Sequence, residues 1–240
     1  KEDPRIDGSD LPPAIIHLKD TCGSFAFDYQ SIYSPAGLNP DNTGVIGLDD
    51  FDSSWGIWGH NLRKVLGANT EKVYATINGK ANDSQLCFSS GEMFRLIESY
   101  ITDNFGEKGK FRFVIAPDDT PYACTCPSCT AIGNTEKNAT PAVTELILRL
   151  SQRFPRHFFF TTSYLTTQQV TDKQLPPNAG VIVSAINFPL RRIDGKDAKE
   201  KAFAGQLEQW KNVTKNIYIW DYINNFDDYL TPMPILKIAR

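Results

Sequence analysis

A chain of 240 residues is long enough to bury a full core as one large α/β barrel or two small domains. Its composition is 41% hydrophobic, 22% charged and 12% aromatic, an ordinary globular balance. A net charge of -3 gives no electrostatic reason to expect nucleic acid or an anionic membrane as partner, and no apolar run is long enough to suggest a membrane span. The polar opening, "KEDPRIDGSD", is no signal peptide, although a trimmed secreted chain would look the same.

In chain order, "SFAFDY" (Ser24–Tyr29) is a short apolar-aromatic run followed by a proline-glycine loop. "GVIGL" (Gly44–Leu48) is a weak strand candidate, and "WGIWGHNL" (Trp55–Leu62) is a stronger one. Within "SGEMFRLIESYITDNFG", Met93, Phe94, Ile97, Ile101 and Phe105 fall at helical spacing, with Gly106 as the stop. "FRFVIA" then reads as a buried strand. A helix follows with Thr140 expected as N-cap, Pro141 at the first helical position and an apolar stripe of Leu146, Ile147 and Leu150. "FFFTTSY", "GVIVSAI" and "NIYIWDY" complete the strand candidates. Short apolar strands separated by helices predict a parallel sheet buried on both faces. The expected fold class is α/β, a TIM-type (β/α)₈ barrel with its last unit missing from this chain, the other reading being a doubly wound open sheet. Residues 1–23 read as an N-terminal extension or linker and 24–240 as the barrel.

In parallel α/β folds the reactive groups gather at the carboxyl ends of strands. Those ends carry His60, Asp118 with Asp119, Tyr164, Asn187, and Asp221 with Tyr222. Two carboxylates facing each other across a cleft suit glycoside hydrolysis, one as acid and the other as nucleophile or base. Asp119 and Asp221 are the natural pair, with Asp118 beside them, and His60, Tyr164, Asn187, Trp220 and Tyr222 as sugar-binding residues. Alternation along "IYIWDY" puts Asp221 on the face of Ile217 and Ile219, and that face is expected to point into the barrel. The structural alternative makes Asp221 a buried acid held by backbone donors. This chemistry requires no cofactor.

Cys124, Cys126 and Cys129 form C-x-C-x-x-C, and Cys87 lies upstream. Thiolates at this spacing can hold a structural zinc, with Cys87 as a guessed fourth ligand. The competing readings are disulfides in a secreted protein, one of the five cysteines being left over, and free thiols. Either bonded state would stiffen the loop carrying Asp118 and Asp119.

Taken together, "SFAFDY", "WGIWGHNLRKVL", "QLCFSS", "DDTPYACTCPSC" and "IYIWDYINNFDDYLTPMPIL" resemble a family of secreted bacterial barrels of unknown function. Its members are grouped by fold with hexosaminidase-like and α-glucuronidase-like glycoside hydrolases. The resemblance runs from about Ser24 to the C-terminus and implies a TIM barrel, a carbohydrate partner and a secreted or periplasmic location in polysaccharide utilisation. It places Asp119, Tyr164, Asp221 and Tyr222 on matching positions. Asp118 stands where the family has asparagine, and Asn187 where it has glutamate. The hexosaminidases grouped with the family carry tandem acids at the end of the fourth strand, the first steadying the substrate's acetamido group and the second serving as general acid. The expected function is therefore a glycoside hydrolase, the alternative being a non-catalytic carbohydrate-binding barrel that has lost part of its acid set.

Overall fold

The computed structural model describes residues 27–34, 37–189 and 196–222. The chain divides into two compact units, Lys1–Asp49 and Asp50–Arg240. In the first, helix α1 (Pro40–Ile46) starts where the Asn39 side chain accepts the Asp41 N–H, and ends at Gly47 in the left-handed conformation. The strand expected at Gly44–Leu48 is instead the end of this helix and its cap. The apolar residues there decided the sequence reading, whereas the Asn-Pro start signal was the better guide. The beginning of "SFAFDY" and the stretch after Tyr222 lie outside the described residues.

The second unit opens with the short helix α2 (Phe51–Ser54), strand β1 (Trp55–Ile57) and helix α3 (Leu62–Leu66). A hairpin of β2 (Tyr74–Ile77) and β3 (Lys80–Leu86) forms a sheet of its own. Asn78 and Gly79 both have positive φ, 52° and 73°, which a two-residue turn matched to strand twist requires. Then come α4 (Gly91–Phe105), β4 (Arg112–Val114), α5 (Pro127–Ile132), α6 (Thr140–Arg153), β5 (Phe158–Ser163), β6 (Ala179–Ser184), α7 (Ala198–Lys211) and β7 (Asn216–Trp220). Helix α4 matches its predicted stripe: Met93, Ile97 and Ile101 are buried and the Ser90 hydroxyl caps its start. In α6 the cap is shifted. Thr140 is the first helical residue, and its N–H is taken by the Asn138 side chain.

The main sheet has five strands in the order β1-β4-β5-β6-β7, and every adjacent pair is parallel. One face carries Phe113, Phe159, Ala179, Val181, Val183 and Ile217, which pack under the helices, with Trp210 of α7 fully buried there. His157 is buried at this layer's edge. Its Nδ1 accepts the Phe111 N–H and its Nε2 donates to the Gly106 carbonyl, so both ring nitrogens of a neutral imidazole are satisfied.

The other face is aromatic, and it shows that the sheet is curled. Flat strands about 4.8 Å apart would set the two edge strands roughly 19 Å from each other. Yet the rings of Trp55 on β1 and Tyr218 on β7 lie 6.1 Å apart, and Phe160 on the central strand meets both, at 5.7 and 4.8 Å. One layer further toward the carboxyl ends, Trp58 and Trp220 lie 4.9 Å apart. Gly180 is required on this concave face, since a Cβ there would fall 2.2 Å from the Asn216 carbonyl oxygen and 2.8 Å from the Phe160 ring. Among the described residues the parallel strands number five, short of the eight of a closed barrel. No helix among them is long and apolar enough to cross a membrane.

Candidate functional site

The carboxyl ends of the curled sheet bring five of the predicted residues, His60, Asp119, Tyr164, Trp220 and Tyr222, into one neighbourhood. His60 follows β1 after Gly59, whose φ of 57° lies in the left-handed region that favours glycine. The His60 Nδ1 is 2.5 Å from the Pro117 carbonyl oxygen and donates to it, which leaves Nε2 as the outward nitrogen. The His60 ring lies 6.2 Å from that of Tyr164, at the end of β5. Burial, and then the nearby charge of Asp119, push the Tyr164 phenol above its usual range. Tyr222, past the end of β7, is raised as well. Its burial is the largest cause, a hydrogen bond with Ser184 opposes it, and the Asp119 charge adds to it. Asp119 is therefore the carboxylate that acts on both phenols, and it is exposed to solvent. Tyr222 lies parallel to Trp220, with ring centroids 6.5 Å apart, so the aromatic floor extends to the rim.

The neighbouring acid does different work. Asp118 receives the guanidinium of Arg63 at 2.6 Å and turns away from the phenols. Its backbone is held by Gln85, a buried residue at the end of β3. The Gln85 Oε1 accepts the Asp118 N–H at 3.0 Å, while Nε2 reaches the Asp118 carbonyl, the Thr120 hydroxyl and the Tyr122 carbonyl at 3.0–3.2 Å. Arg63 and Gln85 lie in "WGIWGHNLRKVL" and "QLCFSS", two of the stretches that carry the family resemblance, but neither is among the strand-end residues that the sequence singles out for a site.

Asp221 lies on the other face of β7. Tyr218, Trp220 and Tyr222 share the concave face, so the alternate residues Ile217, Ile219 and Asp221 point the opposite way, and Ile217 packs under the helices. This corrects the expected orientation of Asp221. The concave face is filled by large rings, Ile217 belongs to the helix layer, and Ile219 is exposed on that side. Asp221 is exposed, and one of its carboxylate oxygens accepts the N–H of Tyr222, its immediate neighbour. Asn187 lines an adjoining cleft of about 770 Å³, which shares Tyr164 and Ser184 with the Asp119 cluster and is walled by Phe188 and Phe203. Leu165, also on that wall, has a φ of 45°, an uncommon conformation for a leucine and a sign of backbone held under constraint at the rim.

Below the Asp118–Asp119 loop sits the cysteine cluster. The sulfurs of Cys87, Cys124, Cys126 and Cys129 all lie within 4.8 Å of one another, and none is disulfide-bonded. Cys87 is 3.7 Å from Cys126 and 3.9 Å from Cys129. The Thr76 N–H donates to the Cys124 sulfur at 3.2 Å, and the Ser89 hydroxyl is 3.0 Å from that of Cys129. Hydrogen bonds with Cys129, then Cys87, lower Cys124 to about 3, while those with Cys124, then Cys87, together with burial raise Cys129, so the cluster favours a thiolate at Cys124. Buried Asn134 ties this loop to α6, donating to the Cys124 carbonyl and accepting the Ala142 N–H.

Residues 60–239 match a family model described as Domain of unknown function (DUF4838). No curated protein and no solved structure matches the chain. The matched segment contains the whole Asp119 cluster and all four clustered cysteines.

Proposed function

The chain belongs to the DUF4838 family, a domain of unknown function, and we propose that it acts on carbohydrate as a glycoside hydrolase built on a TIM-type barrel, with Asp119 as general acid. The observation that carries this reading is that the Asp119 charge acts on the phenols of both Tyr164 and Tyr222, with Tyr222 stacked on Trp220 and Trp220 in turn against Trp58. Flat rings offer apolar faces on which a pyranose ring can stack, and phenols and His60 Nε2 offer hydrogen bonds to its hydroxyls.

The acid set favours one class of substrate. A two-carboxylate mechanism needs a second free acid facing the first. Asp118 is committed to Arg63, and Asp221 lies on the far face of its strand. A single acid suffices when the substrate supplies its own nucleophile, as 2-acetamido sugars do. The acetamido oxygen then bonds to the anomeric carbon as the glycosidic bond breaks, and the Asp119 proton passes to the departing oxygen. Water next attacks the same carbon, displaces the acetamido oxygen and returns a proton to Asp119. The tyrosines hold the acetamido group and the ring in place.

The same shortage of acids supports a second reading, a barrel that binds glycan without cleaving it. One experiment separates the two. Turnover of aryl 2-acetamido-2-deoxyglycosides and aryl uronides is measured beside glycan binding, for the native chain and for Asp119→Asn. Turnover of the acetamido substrate that the variant loses while still binding supports the hydrolase. Binding without turnover by the native chain supports the second reading, and neither binding nor turnover removes carbohydrate altogether.

A further inference from the structure

We propose that Cys87, Cys124, Cys126 and Cys129 bind one zinc ion, and that this ion fastens the loop bearing Asp118 and Asp119 to strand β3. The metal site stands on its own geometry, while its consequence for Asp119 rests on the carbohydrate reading above. Zinc–sulfur bonds of about 2.3 Å in a tetrahedron put neighbouring sulfurs about 3.8 Å apart. The separations of 3.7 and 3.9 Å from Cys87 to Cys126 and Cys129 have that size, and all six pairs fall within 4.8 Å. A disulfide, by contrast, needs sulfurs about 2.05 Å apart, and the cluster shows corners where pairs would be required.

The donor set selects the metal. Four soft sulfurs suit zinc or iron and exclude calcium and magnesium, which take oxygen ligands. Three of the four cysteines are buried, as in a closed structural site with no position left for a substrate. Binding releases the thiol protons still present to solvent, leaving four thiolates around a divalent ion and a net charge of about −2. Donors to that charge are already in place. The Thr76 N–H points at Cys124, the Cys129 N–H at Cys126 at 3.4 Å, and the Ser89 hydroxyl lies against the sulfurs of Cys126 and Cys129.

The ligands come from separate parts of the chain. Cys87 directly follows β3, Cys124 and Cys126 end the loop that leaves β4, and Cys129 lies in α5. That loop is anchored at its near end by Gln85, two residues before Cys87, and at its far end by Cys124. Asp119 lies between the anchors. An ion joining Cys87 to Cys124 therefore closes a frame around the acid, and its loss would free one side of that frame.

The test begins with elemental analysis of the full chain purified without chelator, followed by mercurial titration of the thiols with a chromogenic zinc indicator. About one zinc per chain, released as the four thiols react, is the expected result. Cys22→Ser should retain the metal and Cys126→Ser should lose it. Because loss of a ligand can also unfold the chain, cobalt substitution of the native chain provides a second readout: the intense visible bands of a tetrahedral cobalt–thiolate centre. Iron in place of zinc, disulfides among the four by mass, or four free thiols with no metal would each overturn the proposal. Hydrogen exchange tests the fastening. Stripping the metal should speed exchange of amides 118–126 by at least about tenfold while those of β5 and β6 stay protected, and unchanged exchange there would overturn the positioning role. Zinc without turnover would count against the hydrolase alone, and turnover without zinc against this inference alone.

Discussion

Gln85→Leu removes the side chain that holds the Asp118–Tyr122 segment while keeping most of its volume. Gln85 is 1% exposed, so its amide was buried in order to make these bonds. The Asp118 N–H loses its acceptor, and the Asp118 and Tyr122 carbonyls lose their shared donor. Each buried polar group left without a partner costs about 1–3 kcal/mol. Tyr122 is exposed, so water can reach its carbonyl, and the total should fall near the low end, about 2–3 kcal/mol. At about 2–4 °C per kcal/mol for a domain of this size, the thermal midpoint should drop by roughly 5–10 °C. Urea unfolding of both proteins, followed by tryptophan fluorescence, gives the free-energy difference directly. Gln85→Glu is the informative companion. It retains the acceptor for Asp118 N–H but must be protonated to donate to the carbonyls, so its folded pKa lies above its unfolded one. Its contribution is then present below the unfolded pKa and lost as pH rises through the folded one, and the variant should be closer to the native chain in acid than at neutrality. A Gln85→Leu midpoint within about 0.5 kcal/mol of the native chain would refute the claim that this amide holds the loop.

Trp220→Ala removes the ring between Trp58 and Tyr222 and should weaken glycan binding by about tenfold, a stacking contribution of about 1–1.5 kcal/mol, read by calorimetry. Undiminished affinity would mean that the aromatic floor is packing alone. Gly180→Ala forces a methyl against the Asn216 carbonyl and the Phe160 ring, and should destabilise by about 1–3 kcal/mol, with an unchanged urea midpoint counting against the curled sheet. Asp119→Asn removes a charge that helps to raise both phenols, so Tyr164 and Tyr222 should ionise at lower pH than in the native chain, as followed by tyrosinate absorbance. A raised phenol stabilises the fold fully below the unfolded value of about 10 and less as pH climbs through the folded value, so the variant should lose less stability on the alkaline side.

The central parallel strands β4, β5 and β6 were legible because they are largely buried on both faces and read as apolar runs. "FRFV", "FFFTTS" and "GVIVS" fall within or across observed strands. The β2–β3 hairpin was not, because Lys80, Ala81 and Asp83 face solvent and the segment reads as polar, although Asn78-Gly79 was a usable turn signal. The alternation of β7 was legible but its direction was not. Period two separates Tyr218, Trp220 and Tyr222 from Ile217, Ile219 and Asp221, and either set is apolar enough to be buried. What decides is the volume of the concave space, which only the full set of strands defines. Cys87 was named as the fourth sulfur on proximity in composition alone, and the fold brings it there because β3 runs beside the loop that follows β4.

The adjacent acids Asp118 and Asp119 show how one loop can serve both support and chemistry. Asp119 stands in a bend in which the Thr120 N–H donates to the Asp118 carbonyl at 2.7 Å, and the two carboxylates meet different partners there. Arg63 and Gln85 hold Asp118, whereas Asp119 acts on Tyr164 and Tyr222. Asp118 gains a fixed cation and a held backbone, and in doing so sets the direction of the residue after it. Because Asp118 is only 15% exposed, removing its charge would leave Arg63 without its carboxylate as well as loosen the turn. The orientation of Asp119 is thus inherited from a neighbour that has no part in the chemistry. An acid whose hydrogen bond must meet a developing leaving group loses about a hundredfold in rate for each misplacement of about 1 Å. A chain that relies on a single acid has no second carboxylate to compensate. If Asp119 is the general acid proposed above, rigid framing by Arg63, Gln85 and the four sulfurs is what such a site requires.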